Sequence, residues 1–478
     1  MIAWRFDRLL KKAKAAMNWT VGKLIEATRG QLVQGNPDLT VTGISTDTRQ
    51  VGPGNCFVAL MGESHDGHDF IPDALAKGAT ALVVSRSKED LDLSASAEVS
   101  VVRVSDTLYA LGELARFYRR NHPIPVVGIT GSNGKTSSKE MVSAILGLTR
   151  TVLKNKGNFN NLIGVPLTLL SLGPEHQAAV VEMGINIPGE MARLVEISGP
   201  TVGLITNIHP AHLEGLRSMD TIFEEKSKLW DGLGSEDLAA INLDDDRLSK
   251  CSNRIKARAI TYSLENDGAQ VRLAGDVEID ENVSSFQLAL GGEIVSVRLP
   301  VLGRHLVQNA VAAAAVAWGM GESPENVARG LSCYEPVRQR MQMHRLKDGR
   351  VIIDDTYNAN PRSMLAAVQT VRAASHGKPV IAVLGEMREL GPESGSLHCA
   401  VGREIGKLGI SRLITMGGLG REIIVGAQDA GMKPSACMHA QSHDEVVAWL
   451  REHCPEEAWI VVKGSRAMTM ERVVEKVR

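Results

Sequence analysis

Val126-Val-Gly-Ile-Thr-Gly-Ser-Asn-Gly-Lys-Thr136 decides the reading of this chain, because an apolar run there feeds a glycine turn that closes on Lys-Thr. That order predicts a strand, a phosphate cradle and a helix start. Gly131 and Gly134 let the backbone fold so that the N–H groups of the Ser132, Asn133 and Ser137 neighbourhood converge on phosphate oxygens. Lys135 adds a cation toward the β- and γ-phosphates, and the Thr136 hydroxyl can hold Mg2+. An ordinary P-loop carries a glycine five residues before Gly134, where this chain has Ile129, so the motif is the shorter G-x-x-G-K-T form. The helical pattern of Ser137-Ser-Lys-Glu-Met-Val-Ser-Ala-Ile-Leu146 supplies the context that a nucleoside triphosphate site requires.

Working outward, the apolar runs Ala179-Val-Val-Glu-Met183, Val202-Gly-Leu-Ile-Thr-Asn207 and Ala239-Ala-Ile-Asn-Leu243 alternate with helical stretches. This predicts a doubly wound, mostly parallel sheet across residues 105–332, with ligands at the carboxyl ends of its strands. Within it, residues 270–301 change to short alternating runs, the pattern of an antiparallel flap. Before it, residues 18–104 read as a small α/β domain. After it, Val351-Ile-Ile-Asp354, Val380-Ile-Ala-Val-Leu384, Arg412-Leu-Ile-Thr-Met416 and Trp459-Ile-Val-Val-Lys463 restart the rhythm as a Rossmann-like α/β domain over 333–478. The expected fold is therefore α/β in three domains. Residues 1–17 form an N-terminal extension, basic but without the continuous apolar stretch of a signal peptide.

A chain of 478 residues is too long for one core. With 44% hydrophobic but only 4% aromatic residues, its cores must be built from Ala, Val, Leu and Ile. A net charge of −2 provides no basic field for nucleic acid or anionic lipid, which leaves small molecules as the expected partners. The six cysteines lack paired spacing and read as reduced thiols of a cytoplasmic protein. Ala310-Val-Ala-Ala-Ala-Ala-Val-Ala-Trp318 is too short to span a bilayer and reads as a buried helix.

Several residues carry candidate chemistry. Glu182 ends an apolar strand, where a carboxylate can hold Mg2+ or be simply solvated. His212 follows another strand end and is either structural or a metal ligand. In Thr221-Ile-Phe-Glu-Glu-Lys-Ser-Lys-Leu-Trp230, Lys226 shares a face with Phe223 and Trp230, whereas Lys228 is placed to pair with Glu224. An inward ammonium needs a partner, must lose its charge, or must snorkel. Asn158, Asn160 and Asn161 make an amide-rich loop, and Asn358 and Asn360 lie in a strand-to-helix turn; both clusters suit either a polar substrate or turn and cap chemistry. The same two readings apply to Ser45-Thr-Asp-Thr-Arg49 and His65-Asp-Gly-His-Asp-Phe70.

Taken together, these stretches resemble the amide-forming Mur ligases of peptidoglycan precursor synthesis. The resemblance runs from about Asn18 to the end and is carried by Ser45–Arg49, Asp66–Phe70, Gly131–Thr136, Asn158–Asn161, Val181–Gly184, Pro210–Gly215, Gly303–His305 with Gln308 and Asn309, Asp355–Pro361 and Val462–Arg466. The short P-loop is typical of that family. The resemblance implies an N-terminal domain for the UDP end of a substrate, a central ATPase domain and a C-terminal domain that closes over the site. It implies ATP, held by Gly131 to Ser137 with Asn309, Arg340 and Asp355. It implies Mg2+ on Thr136, Glu182 and His212, a carbamylated Lys226, and a uridine nucleotide near Ser45 and Arg49. Asn158-Phe-Asn-Asn161, Pro210-Ala-His-Leu-Glu-Gly215 and Tyr357-Asn-Ala-Asn-Pro361 further imply a UDP-N-acetylmuramoyl-tripeptide and D-alanyl-D-alanine as the pair to be joined. Catalysis would fall to Lys135, Lys226 and His212, in a monomer without nucleic-acid or membrane partners. A sister ligase, a folylpolyglutamate synthase and a non-catalytic nucleotide switch are the rival readings.

Overall fold

The computed structural model describes residues 19–62, 64–91, 93, 98–211, 213–251, 254–280 and 282–478. The N-terminal extension thus lies outside the described residues.

Among the described residues the first sheet has five strands, in the order Gln31–Gln34, Ser100–Arg103, Ala81–Val84, Asn55–Val58, Gly43–Ser45. Only its first pairing is antiparallel. Its middle strand is buried on both faces: Ala81 and Val83 enter a core shared with the helix Thr107–Arg120, while Leu82 and Val84 enter a separate one against Ile71 and Ala74. Successive strand residues point to opposite faces, so a run with no polar position requires a cover on each side.

The same alternation organises the central sheet. Val126–Thr130 lies between Ala178–Glu182 and Val202–Ile205, all parallel. Val127 and Ile129 face one core with Met141, Val142 and Ile145 of the helix Lys135–Leu146; Val126, with Ala179 and Val181 of the neighbouring strand, faces the other. From Val126–Thr130 the chain fills the Ala178–Glu182 side first and then crosses to Val202–Ile205. That reversal of direction opens a crevice at the carboxyl ends of these strands. The predicted flap is a continuation of this sheet: Val271–Leu273 pairs parallel with Arg258–Ser263, then antiparallel with Val283–Leu290, giving ten strands in all among the described residues. The helix Arg304–Gly319 is buried along nearly its whole length, as its alanine run predicts.

The third sheet runs Gln342–Arg345, Val351–Asp355, Trp459–Lys463, Val380–Gly385, Arg412–Met416, Cys437–Ala440. The last strand of the chain is inserted beside the sheet's first parallel strand, in register Asp355 with Lys463. Two ends 108 residues apart in sequence thereby share one rim. All six cysteines are free.

Candidate active site

The P-loop geometry follows from its glycines. Gly131 has φ +143° and Gly134 φ +82°, and an added Cβ would lie 1.9 Å from Thr206 Oγ1 and 2.2 Å from Asn309 Oδ1 respectively. Neither position accepts a side chain. The loop between them is held by the neighbouring strand end: Asn207 Oδ1 accepts from the Asn133 N–H at 2.9 Å, the Thr206 hydroxyl donates to the Asn133 carbonyl at 2.5 Å, and Ser132 Oγ donates to the His209 carbonyl at 2.7 Å. Lys135 Nζ folds back to donate to the Gly131 carbonyl at 2.7 Å. Burial lowers the pKa of this ammonium, Glu182 opposes the shift and Arg340 adds to it.

Glu182 is 3% exposed at the end of its strand. Asn155 clamps its backbone from both sides, Oδ1 accepting from the Glu182 N–H and Nδ2 donating to the Glu182 carbonyl, each at 2.9 Å. Asn160 Nδ2 donates to Glu182 Oε1 at 2.8 Å, whereas Oε2 is buried without a hydrogen bond. A buried carboxylate oxygen left open in a cleft that the P-loop also lines suits a hard divalent cation, which prefers one or two carboxylates plus phosphate oxygens to an all-protein cage. Among the described residues no three His, Cys, Asp or Glu side chains cluster as a metal centre. His212, the third expected ligand, lies outside the described residues.

Lys226 is 1% exposed on the helix Met219–Asp231, where Ile222, Leu229 and Trp230 are buried as well. Burial drives its pKa well below the ordinary lysine value, and the nearby Lys135 charge lowers it further. Lys228 pairs with Glu225 rather than with Glu224 as the spacing predicts. Glu224 is exposed, while Glu225 is buried and needs a counter-charge more.

The C-terminal domain supplies the opposite wall. Arg340 stacks over the Tyr357 ring at 4.2 Å and donates from Nη2 to Thr136 Oγ1 at 3.0 Å. Asp355 accepts from Lys463 Nζ at 2.6 Å and from the Met341 N–H at 3.1 Å. Asn360 caps the helix Pro361–Ala374 through Oδ1 and donates from Nδ2 to Asn133 Oδ1 at 2.7 Å. The resulting cleft, of about 1000 Å³, is lined by residues 132–137 of the P-loop, Asn158, Asn160, Asn161, Glu182, Asn309, Arg340, Asp355, Asn358 and Asn360.

Residues 40–119, 129–317 and 339–466 match the sequence models described as "Mur ligase family, catalytic domain", "Mur ligase middle domain" and "Mur ligase, glutamate ligase domain". The Escherichia coli UDP-N-acetylmuramoyl-tripeptide–D-alanyl-D-alanine ligase is 37% identical over 461 residues, covering 96% of this chain and 98% of its own. The chain belongs to the Mur ligase family. A Synechocystis ligase of the same name is 39% identical over 380 residues, covering 79% of this chain and 80% of its own. Among solved structures, a crystal structure of MurF from Acinetobacter baumannii superposes with a TM-score of 0.88 at 32% identity, covering 97% of this chain and 99% of its own. MurF from Thermotoga maritima in complex with ADP gives 0.80 at 27%, covering 91% and 96%. A Mycobacterium tuberculosis folylpolyglutamate synthase shares the fold, at 0.62 and 17%, covering 78% of this chain and 95% of its own.

Not every residue expected of a Mur ligase site enters this cleft. Ser45 Oγ bonds the Asp47 carbonyl and N–H, and Arg49 forms a two-point pair with the Asp47 carboxylate while its side chain stays 85% exposed; neither lines the cleft. Asn161 Oδ1 is occupied by the Ile163 and Gly164 N–H groups, so its side chain serves the start of the helix Gly164–Leu170. The Asp66–Phe70 stretch is built as turn chemistry: the Ser85 N–H donates to His68 Nε2 at 2.9 Å, so the ring's proton sits on Nδ1 and is donated to Asp66. Burial raises the Asp66 pKa, but bonds from His68 and Arg86 outweigh it and hold the carboxyl at about 2.

Four residues at or behind the cleft carry no signal of their own in the sequence: Lys463 and His305, which line it, and Asn155 and Lys139, which stand behind Glu182. His305 opens the helix Arg304–Gly319, and burial holds its pKa at about 4, with Asp355 pulling upward and Lys463 downward. Lys463 and His305 fall inside the stretches that carry the family resemblance, which is the one signal that could have found them.

Proposed function

We propose that this chain is an ATP-dependent ligase that joins D-alanyl-D-alanine to UDP-N-acetylmuramoyl-tripeptide for peptidoglycan synthesis, releasing ADP, phosphate and the UDP-linked pentapeptide. The observation that carries the reading is the reach of the C-terminal domain onto the P-loop, Arg340 to Thr136 and Asn360 to Asn133, across a cleft of about 1000 Å³ that both domains line. In this reading residues 18–104 take the UDP end, 105–332 take ATP, and 333–478 close over both.

A carboxylate oxygen of the tripeptide attacks the γ-phosphorus; the bond from that phosphorus to the β-γ bridging oxygen breaks, and ADP leaves. Lys135 releases the Gly131 carbonyl and follows the transferring group, offsetting its charge. The dipeptide amine then attacks the acyl carbon, phosphate departs with its oxygen, and the nitrogen loses a proton to give the amide. Thr136, Glu182 and His212 would hold Mg2+, which when bound neutralises phosphate charge. Asn158 and Asn160 orient the peptide end, Asn309 the base of ATP, and Asn358 with Asn360 the incoming dipeptide. Ser45 and Arg49 serve the uridine nucleotide. Closure excludes water that would otherwise hydrolyse the acyl phosphate.

Lys226 completes the site as a carbamate: its neutral amine attacks carbon dioxide, an N–C bond forms, a proton leaves, and an anion stands where a neutral amine was buried. Its deep burial and depressed pKa support this. We place the enzyme in the cytoplasm as a monomer. Mass spectrometry of a reaction holding ATP, both substrates and purified protein tests the reading. A UDP-linked pentapeptide is expected; extension by one residue, or no product, contradicts it.

A further inference from the structure

Lys139 is as deeply buried as Lys226, at 1% exposure, yet its charge is fully occupied. Its Nζ donates to the Asn155 carbonyl at 2.8 Å and pairs with Glu140 at 3.0 Å; the other Glu140 oxygen takes Lys154. Asn155 passes the constraint on, because its side chain holds the Glu182 N–H and carbonyl and also donates to the Phe159 carbonyl at 2.8 Å. One buried ammonium therefore anchors the backbone that fixes both the Glu182 strand end and the loop bearing Asn160. Lys139 Nζ also stands 3.9 Å from Glu182 Oε2, close enough to balance its charge and too far to bond it.

That last distance matters. A donor bonded to Oε2 would have to be displaced before a cation could bind, and a carboxylate buried without a counter-charge would be costly to hold in place. We propose that Lys139 is a positioning residue for the divalent-cation site, setting the Glu182 carboxylate so that Oε1 is fixed by Asn160 and Oε2 stays open. The proposal rests on the reading of Glu182 as a Mg2+ ligand. Outer-shell partners of this kind change metal affinity by about 10- to 100-fold when removed.

The test is Mn2+ binding to the ADP complex, read from the electron paramagnetic resonance signal of free Mn2+, with ADP binding in EDTA measured in parallel. Lys139→Met is expected to weaken Mn2+ binding about tenfold or more, with ADP binding in EDTA unchanged, and Lys139→Arg to recover most of the loss. A folded Lys139→Met protein with unaltered Mn2+ affinity overturns the proposal. Glu182→Gln separates the two readings: if it too leaves Mn2+ affinity unaltered, Glu182 is not the ligand; if it alone weakens binding, only the role of Lys139 falls. Should Lys139→Met fail to fold, Asn155→Ala removes the same clamp without stripping a buried charge. Unaltered Mn2+ affinity in that variant overturns the proposal equally.

Discussion

Arg340 of the C-terminal domain donates a hydrogen bond to the hydroxyl of Thr136 at the heart of the P-loop, across 3.0 Å and 204 residues of sequence. The guanidinium is fixed from behind by the Tyr357 ring. A cation from one domain thus stands where phosphate charge would gather on another, and in the proposed reading nucleotide binding and domain closure share this one side chain. Lysine cannot reproduce both the stack and the planar fork. Arg340→Lys is expected to lower kcat/KM for ATP by about 10- to 100-fold, roughly 1.4–2.7 kcal/mol, with the fold unchanged; steady-state kinetics with circular dichroism check it.

Asn360 has two functions that substitution can separate. Its Oδ1 caps the helix Pro361–Ala374 and its Nδ2 reaches Asn133. Asn360→Ala should cost about 1 kcal/mol in urea unfolding as well as activity. Asn360→Ser should restore the cap and the stability while leaving activity impaired.

Gly134→Ala places a methyl group 2.2 Å from Asn309 Oδ1 at φ +82°. Loss of measurable ATP binding is expected by calorimetry, because both the loop and the amide at its edge must move.

His305 links stability to pH. Its pKa falls from 6.5 to about 4 on folding, so between those values the unfolded state binds more protons. Stability is therefore fully present above about pH 6.5 and is lost as pH falls toward 4, by on the order of 2 kcal/mol after allowance for partial exposure. Urea unfolding at pH 7.5 and 5 should show a smaller acid loss in His305→Gln than in the unaltered protein.

Lys226→Met removes a buried amine without leaving a cavity. Stability equal to or above that of the unaltered protein is expected, together with loss of turnover that added bicarbonate does not restore. Full activity in this variant contradicts the carbamate.

What the sequence made legible was local. The P-loop could be read because its glycines, lysine and threonine are contiguous, and the strands around it because two-sided burial leaves unbroken apolar runs. The inward face of Lys226 followed from helical spacing alone. Lys228 was assigned the wrong partner because spacing allows i+3 and i+4 alike, and burial, which spacing does not report, chose Glu225. Lys463 and Asn155 stayed hidden for a different reason: their partners Asp355 and Glu182 stand 108 and 27 residues away, and only sheet order brings them together. Ser45 and Arg49 bond Asp47, a local contact between neighbours in sequence that leaves the proposed role toward the uridine nucleotide to be tested.

The proposed ligase couples ATP cleavage to the presence of two substrates at once. Phosphate release measured with UDP-N-acetylmuramoyl-tripeptide and D-alanyl-D-alanine, added separately and together, tests it most directly. Sustained release is expected only with both present. Equal release with neither, or with a single amino acid or a folate in place of the dipeptide, would contradict it.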